Sequence, residues 1–282
     1  MTASRATVRS LHYYPIKACG GVTADHAHVT EAGLEHDRAF TVVDADGVCL
    51  TQREHRTMAA IRVAVTNDQL TVSHPVAGSL TLAVRREGTR IPVTVFKHIG
   101  HGIDQGDEAA EWFGTVLGEP CRLARVPQDH RRRTSGLHEG TAGFADGHAV
   151  TVASLASLDE LTARILERGG EPVPMERFRV NIVLDGWTRP HTEDDVRGMS
   201  IGTGRFGYAK RDIRCQVTTI DQDSGQKAGP EPLRTLATYR RDAEGGVAFA
   251  MKAAVMTPGE ITVGDVVDVH EWSEPALQHD VQ

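Results

Sequence analysis

The residues with the most evident chemical potential lie at 212–225, DIRCQVTTIDQDSG, where Cys215 follows Arg214. A single internal cysteine is most often a small buried hydrophobe, but it also serves as a nucleophile, a redox thiol or a metal ligand. An adjacent guanidinium would favour the thiolate if the geometry allowed it. The threonines and the acidic turn that follow offer hydroxyls instead of packing bulk. The local residues therefore leave all four interpretations of Cys215 open.

Several cationic residues occur in strand-and-turn settings elsewhere in the chain: Lys17 in YPIKAC, Arg38 in EHDRAF, and Arg177 and Arg179 in ERFRVN. An anionic cofactor with a phosphate group needs such a set, because fixed cations and backbone amides offset its charge. Each of these residues alone is more often a surface charge. They indicate an anion site only if the fold brings them together.

Other kinds of site lack support. Asp221, Asp223 and Gly225 alternate as in a calcium loop, but the positions that require glycine and a bidentate glutamate hold Gln226 and Pro232. We therefore interpret this segment as a structural turn. Neither a glycine-rich nucleotide motif nor an H-E-x-x-H zinc motif is present.

Most of the chain predicts short strands. The segments RAFTVVDADGVCLTQRE, LTVSHPVAGSLTLAV and ITVGDVVDVHEW indicate hairpins, the first around Asp46-Gly47 and the last around Gly264-Asp265. Two helices are predicted. The first, GDEAAEWFGTVLG, carries its apolar face at Trp112, Phe113, Val116 and Leu117 and ends at Gly118. The second, SLDELTARILERGG, begins with a capping box formed by Ser157 and Glu160 and buries Leu158, Leu161, Ile165 and Leu166.

Composition limits the partners. The chain has 282 residues, 40% of them hydrophobic, and a formal net charge of -7. Nucleic acids and membrane surfaces attract basic proteins, so we expect neither as a partner. No apolar run has the length of a signal peptide or a membrane span, and the four cysteines form no C-x-x-C pair. A cytoplasmic location is the expectation.

Six motifs, in order, resemble the MOSC family, in the branch that has an N-terminal β-barrel-like domain and includes the mitochondrial amidoxime-reducing component and its bacterial relatives. The matching segments are YPIKACGG, GLEHDRAFTVVDADGVCLTQRE, FADGHAVTVASLASLDEL, RFRVNIVLDG, RCQVTTIDQDSG and EPLRTLATYRR. GEITVGDVVDV then completes the barrel. One departure is Ala18, where relatives carry serine, so that one hydroxyl is missing.

The resemblance implies a mainly β protein with a few helices (α+β), in which a MOSC β-barrel packs against an N-terminal β-rich, barrel-like domain. The implied divisions are 1–125 for the N-terminal domain, 126–145 for a connecting segment and 146–282 for the MOSC domain. It also implies a molybdenum–pterin (molybdopterin) cofactor. The family places its molybdenum-ligating, catalytic cysteine at Cys215, and the cofactor-binding positions are Lys17, Arg38, Ser154, Arg179, Asn181 and Arg214.

The implied activity is reduction of small N-hydroxylated or N-oxygenated substrates, such as amidoximes and hydroxylamines, by removal of oxygen at the cysteine-ligated metal. Electrons are expected from a separate electron-transfer protein or reductase. Two alternatives stay open: a sulfur carrier with a persulfide on Cys215, and a non-catalytic cofactor-binding protein. The family is also associated with pyridoxal phosphate through desulfurase partners, but no Schiff-base lysine motif is identifiable here.

Overall fold

The structure, a computed structural model, describes residues 5–274. Within them it contains three α-helices: α1 (Asp107–Leu117), α2 (Leu155–Glu167) and α3 (Leu233–Tyr239). The strands are β1 (Ala6–Tyr13), β2 (Val22–Ala24), β3 (His26–Thr30), β4 (Gly33–Leu34), β5 (Phe40–Val43), β6 (Arg62–Val65), β7 (Gln69–His74), β8 (Gly78–Ala83), β9 (Arg90–Val95), β10 (His98–Asp104), β11 (Arg122–Arg125), β12 (Arg133–Thr134), β13 (Gly140–Thr141), β14 (Val150–Ser154), β15 (Ile182–Asp185), β16 (Val196–Ile201), β17 (Gly204–Arg214), β18 (Val247–Thr257), β19 (Gly259–Thr262) and β20 (Val266–Trp272).

Seven strands form a closed barrel. Their order is β15-β14-β18-β17-β16-β20-β1, and pairing of β1 with β15 closes the ring. Within this barrel β14 and β15 are parallel and α2 connects them, which is the long crossover that a parallel pair requires. The first strand of the chain therefore completes a barrel whose other strands come from its second half.

Alternation of side chains gives the barrel two apolar surfaces, because successive residues of a strand point to opposite sides of the sheet. Val152, Ile182 and Met251 belong to the buried cluster inside the barrel. Their neighbours Ala153, Val183 and Ala250 belong to a second cluster, which also contains residues of α2 and α3. The two helices thus cover the outer face of the barrel at β14, β15 and β18.

The N-terminal half adds a four-stranded sheet, β5-β11-β10-β9, and a three-stranded sheet, β6-β7-β8. Helix α1 buries Trp112 and Phe113 against this half and ends at Gly118, which is left-handed with φ +78°. The predicted mainly β, α+β fold class is confirmed. β1 pairs with β20 and β3 pairs with β19, so strands from the start of the chain lie beside strands from its second half. The predicted domain division at 125 and 146 stays a prediction.

Three local predictions are wrong. Helix α2 starts at Leu155 with Ser154 as its N-cap, so Ser157 and Glu160 form no capping box, and Leu166 is 53% exposed. The ITVGDVVDVHEW segment is not a hairpin: β19 pairs with β3, whereas β20 pairs with β16 and β1. The local sequence predicts the two strands and the turn between them, but which strands β19 and β20 pair with depends on the rest of the fold. No helix among the described residues is both long and apolar enough to cross a bilayer.

Candidate functional site

Two chain segments are joined where the N-terminal half meets the barrel. The segment after β1 runs beside the segment before β5: Arg38 N–H donates to the Tyr14 carbonyl at 2.8 Å, and Lys17 N–H donates to the Phe40 carbonyl at 2.8 Å. Tyr14 N–H also donates to Asp37 Oδ1 at 2.8 Å. These bonds place Lys17 and Arg38 on two adjacent, hydrogen-bonded segments, although 21 positions separate them in sequence.

A cavity of about 300 Å³ opens at this junction. We call it the junction cavity. Its walls come from both halves of the chain: Lys17, Ala18, Arg38, Thr51, Gln52, Arg53, Phe96, Ala145, Asp146, Gly147, His148, Thr151, Phe178, Arg179, Asn181, Asp212, Ile213, Arg214, Cys215, Val217 and Lys252. Six of the seven predicted site residues are among them, and Ser154 is the exception.

The junction cavity is strongly cationic. Six lysine and arginine side chains line it, against two aspartates. The whole chain, by contrast, carries a net charge of -7. A concentration of fixed positive charge in a partly enclosed cavity favours an anionic ligand.

Tyr14 packs against two of these cations. The guanidinium carbons of Arg38 and Arg179 lie 4.4 and 4.2 Å from the centre of its ring. Asp37 accepts from Arg38 Nη1 at 2.7 and 2.6 Å, so Arg38 is neutralised locally. Burial, with the nearby Arg38, lowers the pKa of Arg179 to about 10. Arg179 Nη1 donates to Gln222, but its buried Nη2 has no partner among the described residues.

Lys17 is 6% exposed. Burial lowers the pKa of its ammonium to about 7, and the charges of Arg38, Arg179 and Arg132 act in the same direction. The carboxylate of Asp146 forms an ion pair with Lys17 and opposes this shift. Lys17 is therefore a cation whose charge depends on pH near neutrality and on what else occupies the cavity.

Asn181 holds the cavity floor together. Its Nδ2 donates to the His12 carbonyl at 3.1 Å, and its Oδ1 accepts from Thr151 N–H at 3.1 Å and from Arg38 Nη1 at 3.3 Å. These bonds connect β1, β14 and the Arg38 loop. Asn181 lines the junction cavity, with much of its hydrogen-bonding capacity used within the protein.

Cys215 lies at the end of β17, partly exposed to the cavity. The guanidinium that contacts its sulfur is Arg53, whose Nη2 lies 3.5 Å from Sγ. Arg214, the sequence neighbour, pairs with Asp212 and donates to the Phe178 carbonyl at 2.6 Å. The cation beside the thiol therefore comes from the other half of the chain.

The acidic turn after Cys215 has a structural role. Asp221 Oδ1 accepts from Ser224 N–H at 2.9 Å and from Ser224 Oγ at 2.7 Å, which closes the turn. Gln222 then exchanges two hydrogen bonds of 3.0 Å with Gln52 and accepts from Arg179. No group of three or more His, Cys, Asp or Glu suited to a metal occurs within residues 5–274. The turn connects the LTQRE segment to the cavity.

Ser154 and Arg177 have other partners. Ser154 Oγ accepts from Ser157 N–H at 3.2 Å and donates to Glu193 Oε2 at 2.9 Å, so it caps α2 and bonds to a buried carboxylate. Arg177 donates to the Thr218 carbonyl at 3.1 Å. Both are buried, and neither lines the junction cavity.

Backbone strain is concentrated around the cavity. Among the described residues, seven that are not glycine have positive φ, and four of them line the cavity: Ala18 (68°), Arg38 (47°), Phe96 (52°) and Arg179 (52°). Such conformations are uncommon outside glycine and persist where the surroundings hold them, which occurs often at ligand sites. Ala18, which follows Lys17, is one of these residues.

Sequence reasoning did not identify several cavity residues. Arg53 and Gln52 lie in the LTQRE run, and Asp146 and His148 lie in FADGHAV. Both segments resemble family motifs, but the sequence assigns no role to these four side chains. Lys252 and Phe96 carried no local signal. Lys252 reaches Asp212 with its ammonium at 3.1 Å, which only the pairing of β17 with β18 makes apparent.

Comparison with known proteins adds a family. Residues 5–120 match the MOSC N-terminal beta barrel domain, and residues 139–268 match the MOSC domain. The mouse protein mitochondrial amidoxime-reducing component 1 is 30% identical, over 93% of this chain and 81% of its own length. The human protein of the same name is also 30% identical, over 93% of this chain and 82% of its own length. The rice molybdenum cofactor sulfurase is 28% identical over 86% of this chain, which covers 32% of that protein.

Replacing Ser154 with alanine tests its role. We expect Ser154→Ala to lower the free energy of unfolding by about 1–3 kcal/mol, because α2 loses its cap and Glu193 loses a donor. Sulfate serves as a simple anion that probes the cationic junction cavity. Its affinity, measured by calorimetry, should be unchanged, because Ser154 lies outside the cavity. Weaker sulfate binding with unaltered stability in denaturant titration would instead make Ser154 a ligand of the anion site.

The lowered pKa of Lys17 predicts a pH dependence for anion binding. Sulfate keeps its charge between about pH 6 and 9, whereas the Lys17 ammonium loses its proton as the pH rises through about 7. Sulfate affinity should therefore fall with rising pH, by up to about tenfold per pH unit above that value. Burial lowers the pKa of His148 to about 4, so this neighbour stays neutral throughout. Lys17→Met should bind weakly and without this slope; an identical slope in the variant would contradict the assignment.

Proposed function

The chain belongs to the MOSC family, and from this premise we propose that it is a molybdenum-cofactor-dependent oxidoreductase that reduces N-hydroxylated substrates of the amidoxime and hydroxylamine type. The observation that carries the proposal is the junction cavity, in which a partly exposed cysteine and six cationic side chains meet. Relatives named amidoxime-reducing components match over most of the chain and support the choice of reaction.

The side chains of the junction cavity suit a molybdenum–pterin cofactor. A phosphate group requires clustered cations and unused donors, and the buried Nη2 of Arg179 is such a donor. A thiolate is a soft ligand, which suits a redox metal with sulfur ligands. Lys17, Arg38 and Arg179 would hold the anionic part, and Cys215 would bind the metal. When bound, this cofactor supplies the two-electron chemistry that removes an oxygen atom from nitrogen.

The overall reaction consumes two electrons and two protons. The N–O bond of an amidoxime breaks, its oxygen leaves as water, and an amidine forms. The electrons would come from a separate reduced electron-transfer protein or reductase.

Protein residues would contribute orientation and charge. Arg53 places a positively charged guanidinium 3.5 Å from the cysteine sulfur that would bind the metal. Gln222 accepts from Arg179 Nη1 and exchanges two hydrogen bonds with Gln52, so the cation that faces the cofactor is coupled through Gln222 to the segment that carries Arg53.

Similarity to the rice molybdenum cofactor sulfurase favours a second candidate, sulfur transfer through a persulfide on Cys215. The Arg53 contact would stabilise a persulfide anion as well as a thiolate. Mass spectrometry distinguishes the two: a labile extra sulfur on Cys215 in protein without molybdenum would support the carrier. Bound molybdenum cofactor without turnover by any donor would instead support a storage protein.

Removing the cysteine tests the reductase. Purified native protein should contain molybdenum and reduce benzamidoxime with an artificial electron donor, whereas Cys215→Ala should lose most of its metal and its activity. Elemental analysis and a visible spectrum provide the measurement. Cys121→Ala is the matched control, since Cys121 is buried away from the junction cavity. Equal, near-zero molybdenum in native protein and in Cys215→Ala would contradict the proposal.

Removing one cation tests how the cofactor is held. Arg179→Met should bind it roughly 10- to 100-fold more weakly, because charge-assisted hydrogen bonds to phosphate are lost. The expected readout is molybdenum and pterin content after dialysis, with unfolding measured in parallel. Arg205→Met changes an exposed arginine of β17 outside the cavity and should retain the cofactor. Full retention by Arg179→Met would leave Arg179 without a role in binding.

A further inference from the structure

Phe96 occupies an unusual position for a large aromatic residue. It lies in the turn between β9 and β10, is 55% exposed and lines the junction cavity. Its φ of +52° places it in the left-handed region, which a bulky residue adopts only where its surroundings hold it. Within the described chain it belongs to none of the buried apolar clusters. Core packing therefore does not explain the ring.

Cations hold the ring at the cavity wall. Lys17 Nζ lies 5.6 Å and the guanidinium carbon of Arg53 lies 5.3 Å from the centre of the Phe96 ring, which is the range of cation–π attraction. Arg53 also reaches Cys215 Sγ at 3.5 Å. One arginine side chain thus connects the ring to the sulfur, and a molecule beside Cys215 would also lie close to Phe96.

We propose that Phe96 is a specificity-determining residue, on which the aromatic ring of a flat substrate stacks while its N-hydroxylated group faces Cys215. This inference rests on the proposed reductase function and narrows its substrate class to aromatic amidoximes and hydroxylamines. An exposed ring offers a flat apolar surface, and aromatic pairs gain more than their buried area provides. Aliphatic N-hydroxylated compounds have no aromatic ring that could stack on Phe96.

A flat ring could also come from the pterin of the cofactor. Of the three cations expected to hold the anionic part of the cofactor, Arg38 and Arg179 pack on Tyr14, and Lys17 lies over Phe96. The other cation over Phe96 is Arg53, which contacts the Cys215 sulfur and is not one of those three. This division favours the substrate as the molecule beside Phe96. The cofactor content of a Phe96 variant separates the two sources.

The test compares two substrates in cofactor-loaded protein. Phe96→Leu keeps an apolar side chain but removes the aromatic face. The ratio of kcat/KM for benzamidoxime to that for acetamidoxime should fall about five- to tenfold, which is the size of an aromatic stacking contribution. Phe96→Tyr should restore the ratio. Ile99→Ala, on the same hairpin, changes a residue that is 78% exposed and does not line the cavity, and should leave the ratio unaltered.

Direct binding gives a readout that is independent of turnover. Calorimetry should show a benzamidoxime Kd that rises about five- to tenfold in Phe96→Leu, with unchanged molybdenum content. Binding that depends on Phe96 without reduction of either compound would support the ring's role and contradict the proposed reaction. Equal losses for both amidoximes, or loss of molybdenum from the variant, would overturn the inference, the latter by assigning the ring to the pterin.

Discussion

Two guanidinium groups share one tyrosine ring beneath the junction cavity, and the electrostatics of the site follow from this contact. Like charges repel, and burial of charge is costly unless partners compensate for it. Tyr14 lies within 4.4 Å of both Arg38 and Arg179, and Asp37 neutralises the first of them. Arg179 keeps a buried Nη2 without a partner in the described chain. A bound anion would therefore neutralise the positive charge at Arg179 and accept a hydrogen bond from its Nη2.

Strand pairing in the barrel determines where these groups lie. Tyr14 directly follows β1, Arg179 precedes β15, and the two strands pair in the register Leu11 to Ile182. Asn181 tightens the same junction through its bond to His12. Because Arg38 follows β4, in a small sheet whose other edge is β19, its position depends on a strand near the end of the chain as well as on β1. The site exists only once strands from both ends of the chain have come together.

Sequence reasoning predicts features that depend on local pattern. The strands, helix α1 with its glycine end and the mainly β architecture follow from periodicity and ordered motifs, and six predicted site residues do line one cavity. Partner choice does not follow from local pattern. The capping box at Ser157 was plausible, yet Ser154 caps the helix and Ser157 Oγ donates to Glu193 at 2.6 Å. Likewise, the alternating apolar and polar residues of β19 and β20 are typical of a hairpin, but β19 pairs with β3 and β20 pairs with β16.

The neighbourhood of Cys215 shows most directly why chemistry cannot be assigned from adjacent residues. In an extended strand, consecutive side chains point to opposite faces, so the residue before a cysteine is poorly placed to act on its sulfur. Arg214 accordingly binds Asp212 and the Phe178 carbonyl, and Arg53 supplies the contact at Sγ. Arg53 in turn is coupled to Phe96, whose left-handed backbone belongs to the same strained set as Ala18, Arg38 and Arg179. In isolation, each of these four residues could adopt an unstrained backbone conformation. They keep positive φ angles together because the assembled junction holds them, and this junction encloses the candidate ligand.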